Sequence, residues 1–185
     1  MNSSSLTPSY RRTPLPIDND TFGETLQIPI CVVRAIDQLL PKKVRGVNHE
    51  NVLYLAGVVD ANIRTASMVI APQAETSPGN FKTDRKSHQQ VLRALSGLEL
   101  EIVAQVHSHP GPTVGHSDGD DELAFIKGEG FWSLVIPNYC GKGMLPIEDC
   151  GIHCYTTGQF RILDERAVSS RVHVIPDYLD LREDP

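Results

Sequence analysis

Two histidines one residue apart, His107 and His109, stand at the end of the alternating run LEIVAQVHSH. Pro110 follows at once, then a loop of prolines and glycines, and then Ser117-Asp118-Gly119-Asp120. On a strand, residues two apart face the same side, so both imidazoles can address one metal ion. A loop that turns back after Pro110 can bring Asp120, in the first turn of a following helix, within reach as a third ligand. Two neutral imidazoles and one carboxylate suit zinc, with contacts of roughly 2.0–2.2 Å and an open fourth position for water, which is the mark of a catalytic site. Asp121 is a rival third ligand by adjacency, and His116 reads as a loop residue with a solvated side chain.

Water activated in this way still needs a proton acceptor outside the metal shell. Glu50 is the candidate, because it stands where HENVLYLAG enters a long apolar strand, whereas Glu99 and Glu101 lie at the start of the histidine strand. The plain alternative for Glu50 is an exposed strand-end residue in a salt bridge. His49-Glu50 does not open an HExxH helix, since Leu53 occupies the place of the second histidine. Ser108, between the two histidines, must point to the opposite face, and no cysteine lies near a glycine-rich nucleophile turn. Ser117 reads first as a helix cap.

The elements that must position these groups follow from periodicity. Ile30, Val33, Ile36 and Leu40 recur at helical spacing within 28–40 until Pro41 stops them. VLYLAGVV (52–59) and TASMVIA (65–71), joined by turn residues, read as a hairpin of buried strands. ETSPGNFKTD reads as a loop, and DRKSHQQVLRALSG as a helix ending at Gly97. Ser117 caps a helix through DGDDELAFIK. FWSLVIP, GIHCYTT and QFRIL are further strands, and VSSRVHVIP closes the sheet or packs against its edge. The order predicts a mixed α/β fold around one sheet. Residues 1–24, rich in Ser, Thr and Pro, are expected to form a flexible arm, 25–175 the domain, and 176–185 an acidic tail.

At 185 residues the chain has the length of one domain. Seventeen basic residues against 23 acidic ones give a formal charge of -6, with the basic groups scattered, so nucleic acid is not an expected partner. No apolar run suits a signal peptide or a membrane span, and four unevenly placed cysteines do not form a disulfide framework; a cytoplasmic protein without membrane attachment is expected. Cys140, Cys150, Cys154 and His153 form an alternative structural zinc set, against which stand the lack of a CxxC pair and the strand pattern of DCGIHCYT.

The combination of an upstream Glu, HxHP, a short loop and SxxD resembles the JAB metallopeptidase family, also called JAMM or MPN+. Its pattern is present from Glu50 to Asp120, although Leu53 replaces a glycine often found in the glutamate strand. The resemblance implies a mixed, mostly antiparallel sheet flanked by helices, layered as in cytidine deaminases. It implies zinc at His107, His109 and Asp120, general acid/base work by Glu50, and oxyanion stabilisation by Ser117. The implied substrates are peptide or isopeptide bonds after the C-terminal tail of a ubiquitin-like protein, with cognate E1- and E2-like conjugation enzymes as further expected partners. The compact length is similar to free-standing prokaryotic members, some associated with ubiquitin-like conjugation operons, including antiviral ones, and others trimming sulfur-carrier proteins. The competing readings are a non-catalytic MPN scaffold, which has usually lost metal ligands, and a small-molecule amidase.

Overall fold

The structure is a computed structural model and describes residues 23–178. The expected arm and tail fall outside the described residues except for Gly23–Glu24 and Pro176–Tyr178.

One eight-stranded sheet organises the chain. Its strands are β1 (Thr25–Pro29), β4 (Val52–Asp60), β5 (Ile63–Ile70), β8 (Glu101–Ser108), β9 (Trp132–Ile136), β10 (Gly151–Thr156), β11 (Gln159–Ile162) and β12 (Val172–Ile175). They lie in the order β11-β10-β9-β8-β4-β5-β1-β12, with two short hairpins beside them, β2 (Lys42–Val44) with β3 (Val47–His49) and β6 (Glu75–Ser77) with β7 (Asn80–Lys82). Four of the seven pairings in the large sheet are antiparallel; β8 with β9, β1 with β5 and β1 with β12 are parallel. The mixed, mostly antiparallel α/β sheet expected above is therefore present.

Alternation along β4 shows why the sheet is covered on both faces. Leu53 and Leu55 join the core formed with α1 (Ile30–Leu39) and α4 (Glu165–Arg171), while Val52, Tyr54 and Ala56 pack with Val91 and Leu95 of α2 (Arg85–Leu95). Successive side chains of a strand point to opposite faces, so a continuous apolar run needs two covering layers. The Asp84 side chain accepts from Ser87 N at 2.7 Å to start α2, and Gly97, at φ +86°, follows its end. At the end of α1, Asn51 Nδ2 donates to the Leu39 and Leu40 carbonyls, which ties the helix to the segment carrying Glu50.

Several expectations need correction. The segment taken as helix from residue 28 begins as β1, because Ile28 and Pro29 pair with Val174 and Ile175 of β12. The stretch ETSPGNFKTD is the β6–β7 hairpin rather than a loop. In β5 only Ala66 is fully buried, so this half of the long hairpin is not a buried strand. The helix after Ser117, α3 (Asp118–Leu123), stops early: Phe125 packs on Tyr54 with ring centroids 5.2 Å apart and stacks on His88 at 3.9 Å, drawing the chain off the helical path. VSSRVHVIP divides into the end of α4 and the edge strand β12.

Candidate metal centre

The C-terminal end of β8 delivers the two histidines. β4 pairs with it antiparallel, placing Val52 opposite His107, and β9 pairs with it parallel, placing Val135 beside His107. Beyond the strand, His109 N donates to the Ile136 carbonyl at 2.9 Å, so the ligand segment stays bound to β9. Ser108 points to the opposite side, as alternation requires, and its Oγ accepts from Asn51 N at 3.1 Å. This bond and that of Glu50 N to the Ser77 carbonyl, 2.9 Å, hold Glu50 from both sides at the start of β4.

Asp120 arrives by a capping box. Ser117 Oγ accepts from Asp120 N at 3.2 Å, while Ser117 N donates to Asp120 Oδ2 at 2.6 Å and Ser117 Oγ–H donates to the same oxygen at 2.8 Å. The cap thus also turns the Asp120 carboxylate towards the histidines. Asp120 Oδ1 lies 3.4 Å from His107 Nε2, and Oδ2 lies 3.3 Å from His109 Nε2. His107, His109 and Asp120 are all buried, and their ligand atoms lie within 4.8 Å of one another.

These residues fit a zinc ion. Ligands about 2.0–2.1 Å from a tetrahedral zinc are about 3.3–3.4 Å apart, which matches the separations found. His109 Nδ1 lies 2.9 Å from the Thr113 carbonyl, so that nitrogen carries the proton and Nε2 keeps its lone pair for a metal. Both nitrogens of fully buried His107 lack a hydrogen-bond partner, and a bound cation would satisfy Nε2. Burial opposes the charge on Asp120, yet the two histidines hold its carboxyl well below the usual range, so the ligand is a carboxylate. Burial lowers His107, which keeps that ligand neutral, and although burial also opposes the proton on His109, the Asp120 carboxylate raises it; a metal competes with this proton for Nε2.

Glu50 is buried rather than an exposed strand-end residue. Burial pushes its carboxyl up to about 7, with His109 lowering it and Asp120 raising it. A carboxyl of that character beside the ligands can both take and return a proton near neutral pH. Glu101 lies six residues before His107 on β8, about 20 Å away at strand rise, and lines a separate cleft of about 530 Å³ with Arg64, Leu92 and Phe131.

One sequence reading changes, and two rival readings fall away. His116 is not solvated: its side chain is 6% exposed, with Nδ1 2.8 Å from Asp121 Oδ1 and Nε2 2.9 Å from Ser133 Oγ. Asp121 is accordingly turned to His116, and the group of potential ligands found among the described residues includes Asp120 and not Asp121. The cysteine set does not assemble either, because His153 stacks on His116 at 3.9 Å while the Cys140 and Cys150 thiols, pushed up to about 12 by burial, donate to Asp37 and to the Met144 carbonyl.

Tyr139, which the sequence does not single out, also supports the site. It sits in a left-handed turn in which Asn138, Tyr139 and Cys140 have φ of 54°, 55° and 58°. Tyr139 N donates to the His109 carbonyl at 2.7 Å, and its phenol donates to the Pro78 carbonyl at 2.7 Å, so one residue braces the ligand segment against the β6–β7 hairpin. Pro137-Asn138 was a legible turn signal, but the pairing with His109 is not local.

The ligand loop also leans on β10, where a Cβ on Gly151 would come 1.9 Å from the Val114 carbonyl oxygen. Both partners are backbone, so neither can swing aside. Gly151→Ala is expected to destabilise the fold by about 1–3 kcal/mol, as overpacking does, and to displace the loop that carries Asp120. Thermal unfolding checks this, and an unchanged midpoint would contradict the contact.

A mixed sheet that converges two histidines and a capped aspartate beside a buried glutamate defines a JAB/MPN-type domain. The chain belongs to the family described as prokaryotic homologs of the JAB domain, which it matches over residues 33–166. No curated protein matches its sequence. Among solved structures it is similar to a protein from Desulfitobacterium hafniense (TM-score 0.55, 16% identity, 82% of this chain and 95% of that one). It is also similar to a protein from Salinibacter ruber (0.50, 17%, 75% and 88%). A JAB1/MPN domain protein from Archaeoglobus fulgidus aligns with a TM-score of 0.39 at 15% identity, over 77% of this chain and 100% of that one. At these identities the likeness to the Desulfitobacterium and Salinibacter proteins speaks for the fold alone.

Proposed function

We propose that the protein is a zinc-dependent isopeptidase or peptidase that cleaves after the C-terminal tail of a ubiquitin-like protein, in deconjugation or precursor processing, in the cytoplasm. The observation that carries the reading is the joint placement of the His107, His109 and Asp120 cluster and a buried Glu50, whose carboxyl burial pushes up to about 7. A zinc ion there would supply Lewis-acid activation of water and of the scissile carbonyl. Glu50 takes the proton of the attacking water and returns one to the leaving amine. The Ser117 hydroxyl can rotate from Asp120 Oδ2 towards the developing oxyanion while its oxygen still accepts from Asp120 N. An extended tail laid beside an exposed strand would be aligned by backbone pairing, and E1- and E2-like enzymes would supply the conjugates.

The experiment is cleavage of a linear fusion that places a ubiquitin-like tail before the scissile bond, compared with Ser117→Ala. The wild type is expected to cut the fusion. The variant should lose about 100-fold to 1000-fold in turnover, as for loss of one oxyanion donor, and about 1 kcal/mol of stability from the lost cap. Wild-type turnover in the variant would remove Ser117 from the chemistry. A wild type that binds zinc and cuts no such fusion would favour an assembly scaffold.

A further inference from the structure

We infer that His116 is a positioning residue of the metal centre: clamped between Asp121 and Ser133, its ring orients His107, and its bond to Asp121 fixes the helical turn that presents Asp120. The inference rests on the zinc reading of the His107, His109 and Asp120 cluster. The two histidine ligands are held in different ways. His109 has an orienting partner in the Thr113 carbonyl, 2.9 Å from Nδ1, whereas His107 Nδ1 is buried with no hydrogen-bond partner. A ligating imidazole ordinarily donates its other N–H to an oxygen that fixes ring and tautomer. In place of that bond, His107 has walls of rings: Phe81 at 5.3 Å, His109 at 5.1 Å and His116 at 5.5 Å between centroids.

A wall orients only if it is itself fixed. His116 stacks on His153 at 3.9 Å and 24°, meets Phe160 at 4.9 Å, and uses both nitrogens. A neutral imidazole has one donor and one acceptor, and each nitrogen of this buried ring faces one oxygen, Asp121 Oδ1 or Ser133 Oγ. The Asp121 carboxylate can only accept when ionised, which places the proton on Nδ1 and leaves Nε2 to accept from the Ser133 hydroxyl. Ser133 Oγ in turn accepts from Gln105 Nε2 at 3.1 Å. Donation therefore runs in one direction, Gln105 to Ser133 to His116 to Asp121, from β8 through β9 to α3. Gln105 and His107 are two apart on one strand, and Asp121 adjoins Asp120, so the chain of bonds links the carriers of two metal ligands.

The test reads metal binding rather than hydrolysis. Zinc affinity is measured by chelator competition, and ligand geometry by the visible absorption of cobalt(II) bound in place of zinc, for the wild type, His116→Leu and Ser133→Ala. Both variants are expected to bind zinc about 10-fold to 100-fold more weakly and to shift the cobalt bands. Ser133→Ala keeps the ring and removes one hydroxyl, which serves if His116→Leu does not fold. A purely structural role would lower the thermal midpoint of the metal-free protein and leave the affinity and cobalt bands of a folded variant unchanged; that result overturns the inference. A wild type that takes up neither metal overturns it together with the zinc reading. A metal site that weakens as expected in a protein that cuts no ubiquitin-like tail upholds the inference and sinks the peptidase reading alone.

Discussion

Asp120→Ala is expected to purify with little zinc and without measurable hydrolysis, and His109→Ala is expected to behave the same way. Each of three protein ligands supplies a large share of the binding, and a two-ligand remnant holds zinc poorly. For Asp120 the loss is compounded, because its carboxylate also accepts the Ser117 N–H and hydroxyl, so alanine unfastens the capping box that orients α3. Asp120→Asn separates the two effects. Its amide oxygen can still accept from Ser117 N, while the negative charge that the histidines hold is gone. Elemental analysis with thermal unfolding should show Asp120→Asn folded but depleted in zinc, with a midpoint below that of the metal-free wild type because the charge held by the histidines is lost. Full zinc in Asp120→Asn and His109→Ala would remove both residues from the ligand set.

Glu50→Gln should do the reverse, keeping zinc and fold while losing hydrolysis. Glu50 is held at the site by backbone bonds of its own segment, Glu50 N to Ser77 O and Asn51 N to Ser108 Oγ, and these do not involve its carboxylate. Glutamine fills the same volume and removes the ionised form that burial already disfavours, so stability should be unchanged or slightly higher. What disappears is the proton acceptor. General acid–base catalysis contributes about 100-fold to 10,000-fold, and a group that both takes and returns the proton should fall at least in that range. The check is zinc content, unfolding midpoint and fusion cleavage on one preparation. Near-normal cleavage would dismiss Glu50, and Glu101 offers no replacement from the far end of β8.

The candidate ligand group was legible because the relations that place it are local. His107 and His109 share a strand, and Ser117 reaches Asp120 across one helical turn. Glu50 was harder, since its value depends on β4 pairing with β8: its place at the entry of a long strand made it a candidate, and the assignment leaned on the family pattern. What the sequence hid was non-local. β1 and β12 pair in parallel across most of the chain, and the three-residue strands of the β6–β7 hairpin carry too few residues to show a period. His116, between Gly115 and Ser117 in a glycine-rich loop, has the composition of an exposed turn. Its burial comes from His153 and Phe160, contributed by β10 and β11, which no spacing around residue 116 announces.

The most direct measurement is a zinc titration of chelator-stripped wild-type protein with cleavage of a ubiquitin-like tail fusion followed in the same samples. Cleavage is expected to be absent at the start, to rise in proportion to added zinc and to level off at about one ion per chain, while Asp120→Asn stays inactive throughout. Cleavage by the stripped protein, or none at saturating zinc, would contradict the account.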